Sequence, residues 1–283
     1  MESFFTFLEK RVADSSSLLC IGLDPHISDL AAPTADAARA FCLDMVKKTA
    51  PYAAAFKPNA AFFEQFGAAG WTVLEQVVDA VKDESQRLGS LIPVILDAKR
   101  GDIASSAEAY ARSAFETLGV HAITLSPYLG KDSINPFLNN PEKGVFLLCK
   151  TSNPGASDLQ DLQVVESDPG ASPGDQAGSP LYLVVARLAQ SWNTKDNIGL
   201  VIGATQPEAL ARVRAVAHDL WFLAPGVGAQ GGDMKAALTA GLRHDGKGML
   251  FPVSRGISRA VDPARAAAKL RDEIINIKYQ RDR

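Results

Sequence analysis

Asp97 and Lys99 stand two residues apart at the end of the apolar run Val94-Ile95-Leu96, and Gly101-Asp102 follows directly. In an extended chain, residues i and i+2 share a face, so their Cβ atoms lie roughly 6–7 Å apart at ~3.3 Å rise per residue. A carboxylate and an ammonium are thereby paired where the chain leaves the interior. Burial drives each toward its neutral form, while the pairing holds both charged. The pair can hold a proton beside a reacting atom, or it can be a structural ion pair, and the spacing alone admits both readings. Asp102 comes after the strand and need not share that face.

A second group suits an anion. Pro225-Gly226-Val227-Gly228-Ala229-Gln230-Gly231-Gly232 lets backbone N–H groups approach closely, and Ser254-Arg255-Gly256 adds a forked guanidinium donor. The glycine loop has neither the Gly-Lys-Ser/Thr ending of a nucleotide-triphosphate loop nor the spacing of a dinucleotide fingerprint. Metal chemistry finds no comparable pattern. His26, His121, His218 and His244 form no paired spacing, and Cys20, Cys42 and Cys149 fit neither a zinc site nor a disulfide framework. The cysteines read as reduced buried thiols of a cytoplasmic protein.

These residues need elements to hold them. Apolar runs at Leu18–Leu23, Ala53–Lys57, Ile92–Lys99, Ala122–Ser126, Val145–Lys150, Gly199–Gly203, Leu220–Ala224 and Met249–Val253 read as strands. Helical stretches fall between them: one opening at Thr34 as N-cap, then Trp71–Leu88, Ser105–Leu118, Leu181–Trp192, Pro207–Ala217, and a last one after Asp262-Pro263. Eight strand–helix units in 283 residues predict parallel strands with right-handed crossovers, closed into a single (β/α)8 TIM barrel over residues 1–283. Residues 154–180, rich in Gly, Pro, Ser and Asp, are too long for a plain connection and read as a lid or a surface insertion.

In such a barrel the active site lies at the C-terminal strand ends. Six of the strands end in polar or glycine-rich groups: Gly22-Leu23-Asp24-Pro25, Phe56-Lys57-Pro58-Asn59, Asp97 through Asp102, Lys150-Thr151-Ser152-Asn153-Pro154-Gly155, the glycine loop, and Ser254-Arg255-Gly256-Ile257. A single polar end is ordinarily a solvated rim residue. Six converging ones are not explained that way.

Composition excludes several classes. Apolar residues make up 47% and charged residues 22%, with a formal net charge of -3 and a pI near 5.8. That balance carries no electrostatic footprint for nucleic acid or an anionic membrane. No apolar run approaches the ~18 residues of a membrane span. The opening MESFFTFLEKRVADSSS reads as an amphipathic helix and not as a signal peptide.

Taken together, the strand ends resemble the orotidine 5′-phosphate decarboxylase family, in its longer bacterial branch. The resemblance spans nearly the whole chain and rests on Phe56-Lys57-Pro58-Asn59, the Asp97/Lys99/Asp102 triplet, Thr151-Ser152-Asn153-Pro154-Gly155 and the glycine loop, all in the expected order. It implies conversion of orotidine 5′-monophosphate to uridine 5′-monophosphate and carbon dioxide, the last step of de novo pyrimidine nucleotide synthesis, with no metal and no organic cofactor. It implies Lys99 as proton donor to C6, Asp97 beside the substrate carboxylate, and Lys57 and Asp24 at the ribose. Ser152 would bond the pyrimidine, and Gln230 and Arg255 would hold the phosphate. Asp102 and Ser106 would reach the partner's site in a homodimer; Ser106 stands where many members carry threonine. Two other readings share parts of the pattern: a magnesium-dependent sugar-phosphate lyase of the same barrel group, against which Lys57 and the Thr151–Gly155 loop argue, and a non-catalytic nucleotide-binding barrel, whose hallmark would be loss of Lys99 or Asp97.

Overall fold

The computed structural model describes residues 2–165, 178–227 and 233–281. Eight strands form one sheet: β1 (Leu19–Leu23), β2 (Ala55–Pro58), β3 (Ile95–Arg100), β4 (Ala122–Leu125), β5 (Gly144–Lys150), β6 (Ile198–Ile202), β7 (Trp221–Leu223) and β8 (Met249–Val253). Neighbours along the chain are neighbours in space, every ladder among them is parallel, and β8 returns to β1 through Leu19↔Phe251 and Cys20↔Pro252. Two single bridges, Phe56↔Val94 and Asn59↔Asp97, join β2 to β3 and complete the circuit. The expected TIM barrel is the observed one.

The strands are apolar on both faces because both are covered, as parallel sheets require. Helix Gly67–Leu88 shows how the outer layer packs. It buries Val73, Leu74, Val77, Val78 and Val81, a stripe at helical spacing. Each such side chain contributes ~1.5–3 kcal/mol when fully buried. Gly89, with φ +64°, ends that helix in the left-handed conformation that glycine tolerates. At the start of the chain, helix Phe4–Ser15 lays Phe4, Phe5, Leu8 and Val12 against the N-terminal end of the barrel. Phe5 stacks on Trp221 at 6.1 Å between centroids. A Cβ on Gly144 would meet the Phe4 ring at 2.3 Å, so only glycine fits at the first position of β5.

Most expected boundaries lie within two residues of the observed ones, the usual fraying range. Thr34 Oγ1 caps helix Ala35–Thr49 by accepting from the Ala37 N–H at 3.2 Å, and Asp262 accepts from the Arg265 N–H at 3.0 Å where helix Pro263–Arg281 begins. Some elements differ further. β3 starts at Ile95 and not at Ile92, because Pro93 lacks an N–H and serves only as acceptor from Phe56. The stretch expected as one helix over 105–118 is α-helical from Ala104 to Arg112 and then a π-turn over Ser113–Thr117.

The 154–180 segment is not a plain loop in its described parts. It holds a short helix, Ser157–Gln160, and a two-residue antiparallel pair of Gln163–Val164 with Ser179–Pro180. Its residues 166–177 lie outside the described residues. No described helix is long and apolar enough to cross a membrane. Cys20, Cys42 and Cys149 are free and buried, and burial pushes the Cys20 thiol up to about 12.

Candidate active site

A cavity of about 640 Å³ opens at the C-terminal end of the barrel, and residues on or just after all eight strands line it. That is the size of a small-ligand site, typically ~300–1,000 Å³. Asp24 follows β1, Lys57 lies on β2, Asp97 and Lys99 on β3, and Thr124 on β4. Thr151, Ser152 and Asn153 follow β5, Pro225, Gly226 and Val227 follow β7, and Ser254 and Arg255 follow β8.

Asp97 is the hub. Its Oδ2 accepts from Lys57 Nζ at 2.8 Å and its Oδ1 from Lys99 Nζ at 2.5 Å. Lys57 is buried, whereas the Lys99 side chain is 49% exposed and faces the cavity. Burial alone would raise the carboxyl of Asp97, yet the two ammoniums and their hydrogen bonds outweigh it and hold the group well below the ordinary carboxylate range. Burial would likewise lower Lys57, but the charges of Asp97 and Asp24 keep it above the usual lysine value. The result is a desolvated, charged triad with one half-exposed ammonium at its open side.

Asp97 and Lys99 do share the cavity, but the regular pleat is not the reason. Ile95 and Leu96 pair with Ala122 and Ile123, and the ladder then resumes only at Arg100↔Leu125. Three residues of β3 therefore face Thr124 alone, a bulge of the kind that re-aims side chains. Inside it Lys99 adopts φ +49°, a left-handed conformation disfavoured for any residue with a Cβ. Ala104, just beyond, has φ +48°.

Other expected site residues fall as follows. Asp24 lines the cavity, and its Oδ1 is buried without a hydrogen-bond partner, as is Ser254 Oγ on the adjacent strand end. Buried polar atoms ordinarily are bonded. Gly22 lies between them: a Cβ there would meet Ser254 Cβ at 2.7 Å. Ser152 is half-buried in the wall, and exposed Arg255 reaches the rim from the start of the short helix Arg255–Ser258. Asp102 and Ser106 are not among the cavity's lining residues. Asp102 accepts from the Ile103 N–H at 2.8 Å, and Ser106 is exposed in the first turn of the helix that begins at Ala104. Gln230 lies outside the described residues.

Among the cavity residues that escape the sequence reading are Thr124 and Gln160. Thr124 is buried in the apolar strand Ala-Ile-Thr-Leu, where a lone hydroxyl was the available signal. Gln160 comes from the 154–165 stretch and is tied to Thr151 twice, accepting from its N–H at 2.9 Å and donating to its Oγ1 at 2.8 Å. Lys150, one of the polar strand-end residues, turns away from the cavity. It is buried and donates to both oxygens of Asp161 at 2.7 and 2.8 Å, which fastens the inserted segment to the end of β5.

A parallel eight-stranded barrel with a desolvated ammonium–carboxylate cluster at its C-terminal mouth defines a barrel enzyme of acid–base or electrostatic chemistry. Comparison with known proteins narrows the class. The model of the orotidine 5'-phosphate decarboxylase / HUMPS family matches residues 17–270. An orotidine 5'-phosphate decarboxylase of Roseiflexus castenholzii is 46% identical over 283 residues, covering 96% of this chain and 97% of the relative. One from Thermomicrobium roseum is 46% identical over 98% of this chain and 97% of its own length. The solved structure of Leishmania donovani OMP decarboxylase superposes with a TM-score of 0.85 at 52% identity, covering 98% of this chain and 100% of that one. The chain belongs to the orotidine 5'-phosphate decarboxylase / HUMPS family and is a carboxy-lyase.

Proposed function

We propose that the chain converts orotidine 5′-monophosphate to uridine 5′-monophosphate and carbon dioxide, completing de novo pyrimidine nucleotide synthesis in the cytoplasm. The observation that carries this reading is Lys99, held by Asp97 and half-exposed at the cavity, in a chain whose relatives are decarboxylases.

In the reaction the bond between C6 and the carboxylate breaks, and its electron pair stays on C6. No adjacent carbonyl delocalises that pair, so the site must stabilise charge more strongly in the transition state than in the ground state. The Lys99 ammonium lies beside C6, stabilises the developing negative charge and gives its proton to C6 as carbon dioxide departs. Asp97 holds Lys99 and Lys57 in place and borders the leaving carboxylate. Lys57 and Asp24 bind the ribose, Ser152 the pyrimidine, and Arg255 with Gln230 the phosphate. With Lys57 and Lys99 supplying the positive charge, the chemistry requires neither metal nor organic cofactor. Residues 1–283 act as one barrel domain, with 154–180 as a lid or a surface insertion.

The active form is a homodimer in which Asp102 and Ser106 complete the neighbour's site. Three facts support this. Asp102 and Ser106 lie off their own cavity; Ser106 is exposed; and the exposed apolar residues Ile103, Tyr128 and Leu129 follow the same strand ends, β3 and β4. Nucleic acid and membranes are not partners on this reading.

The test is incubation of chelator-stripped protein with orotidine 5′-monophosphate, following its absorbance and the release of carbon dioxide. Turnover is expected without added metal. Lys99→Ala should stay folded and lose several powers of ten in kcat, beyond the ~10²–10⁴-fold of acid–base assistance alone, because it removes the donor and the cation together. Near wild-type turnover in that variant would refute Lys99 as the donor.

A further inference from the structure

The bulge in β3 leaves a bonding problem that one side chain solves. Between Leu96 and Arg100 the N–H groups of Ala98 and Lys99 are displaced from the β4 ladder. Both donate to Thr124 Oγ1, at 3.0 and 2.9 Å. The same hydroxyl donates to Asp97 Oδ1 at 3.1 Å. A hydroxyl has two acceptor lone pairs and one hydrogen, so the bonding capacity of Thr124 is fully used within the segment that carries Asp97 and Lys99. Thr124 is 1% exposed, so water does not substitute for it.

We propose that Thr124 is a positioning residue for the reaction, its hydroxyl locking the Asp97–Lys99 segment into the bulged conformation that points both side chains at the substrate. The inference rests on the decarboxylation reading above. The φ of +49° at Lys99 is a conformation the residue would leave unless its surroundings held it. Its N–H bond to Thr124 supplies that hold at Lys99 itself. The bond to Asp97 Oδ1 fixes the carboxylate oxygen that also receives Lys99 Nζ. Thr124 therefore acts on the ammonium by two routes, through its backbone and through its partner, while its hydroxyl makes no bond to Asp24, Ser152 or Arg255.

The two substitutions that separate this role from ordinary packing are Thr124→Val, which keeps the shape and removes the hydroxyl, and Thr124→Ser, which keeps the hydroxyl. Misplacing a reacting group by about 1 Å costs on the order of 10²-fold. Thr124→Val should therefore lower kcat by about that factor with little change in KM, and Thr124→Ser should restore most of it. Rates are referred to sites counted by titration with uridine 5′-monophosphate, so a partly unfolded preparation does not imitate the effect. Thr124→Ala replaces the valine variant if the latter does not fold. With an active wild type, an unchanged kcat in Thr124→Val, equal losses in the Val and Ser variants, or a loss confined to KM would overturn the proposal. An inactive wild type would instead overturn the decarboxylation reading and the proposal with it.

Discussion

At the scale of residues, the site is governed by one largely buried carboxylate and its two cations. Asp97 is held charged below the ordinary carboxylate range despite burial, and Lys57 is held charged above the ordinary lysine range. A depressed acid contributes stability above its unfolded pKa of ~3.9 and loses it as the pH falls toward the folded value. A raised lysine contributes below its unfolded pKa of ~10.4 and loses it as the pH rises through the folded value. The pair is therefore fully stabilising between roughly pH 4 and pH 10. Asp97→Asn leaves Lys57 buried with only Asp24 to oppose its charge. It should cost about 3 kcal/mol at pH 7, the lower end for breaking a buried pair. Urea unfolding across pH should show the gap between wild type and variant level through that window and narrowing as the solution is acidified below about pH 4. A gap that widens on acidification would mean that Asp97 does not carry the stabilising charge.

Elements decide which of these groups can act together, and here the limits of the sequence become physical. Apolar runs bounded by helices mark the strands because both faces of a parallel barrel strand must be covered, so the barrel is legible from Leu18 to Val253. Asp24, Lys57, Asp97, Lys99, Ser152 and Arg255 are legible as charged or polar groups where those runs stop, and all of them line the cavity. The bulge is not legible. Period-2 alternation accounts for Asp97 and Lys99 on one face without it, and nothing in Asp-Ala-Lys announces a left-handed lysine. Nor is the outward turn of Lys150 legible, because its partner Asp161 lies in an inserted segment of no regular pattern. Arg255 tests the element logic directly. It opens the short helix after β8, exposed at the rim and without an ion pair among the described residues. A charged hydrogen bond there is worth about 1.5–3 kcal/mol, more when desolvated. Arg255→Ala should lower kcat/KM for orotidine 5′-monophosphate by orders of magnitude and matter far less for orotidine, which lacks the phosphate. Equal losses on both substrates would show that Arg255 does not read the phosphate.

For the whole molecule, the question is whether one chain is a complete catalyst. Lys99 faces its own cavity, yet Asp102, three residues on, does not line it. The two are separated by the end of β3 at Arg100, and Ser106 lies on the helix that starts only at Ala104. Asp102 precedes that helix, so helical spacing does not pair it with Ser106. What they share is an edge of the barrel mouth, where Tyr128 is 80% exposed. The proposed two-fold dimer, built on that edge, would present the same patch from both subunits; with each Asp102 turned to the neighbour's cavity, two composite sites would result. The arrangement makes a quantitative prediction. Lys99→Ala and Asp102→Ala proteins should each be nearly inactive alone. After mixing in equal amounts and exchange of subunits, about half the dimers would be hybrids, and each hybrid would hold one site with both defects and one with neither. Activity should then recover to about a quarter of the wild-type value per site. Hybrid formation is followed by native mass spectrometry with one partner isotopically labelled, so exchange and activity are read from the same mixture. Hybrids that form without recovery would place Asp102 in the service of its own subunit and leave the two cavities chemically independent.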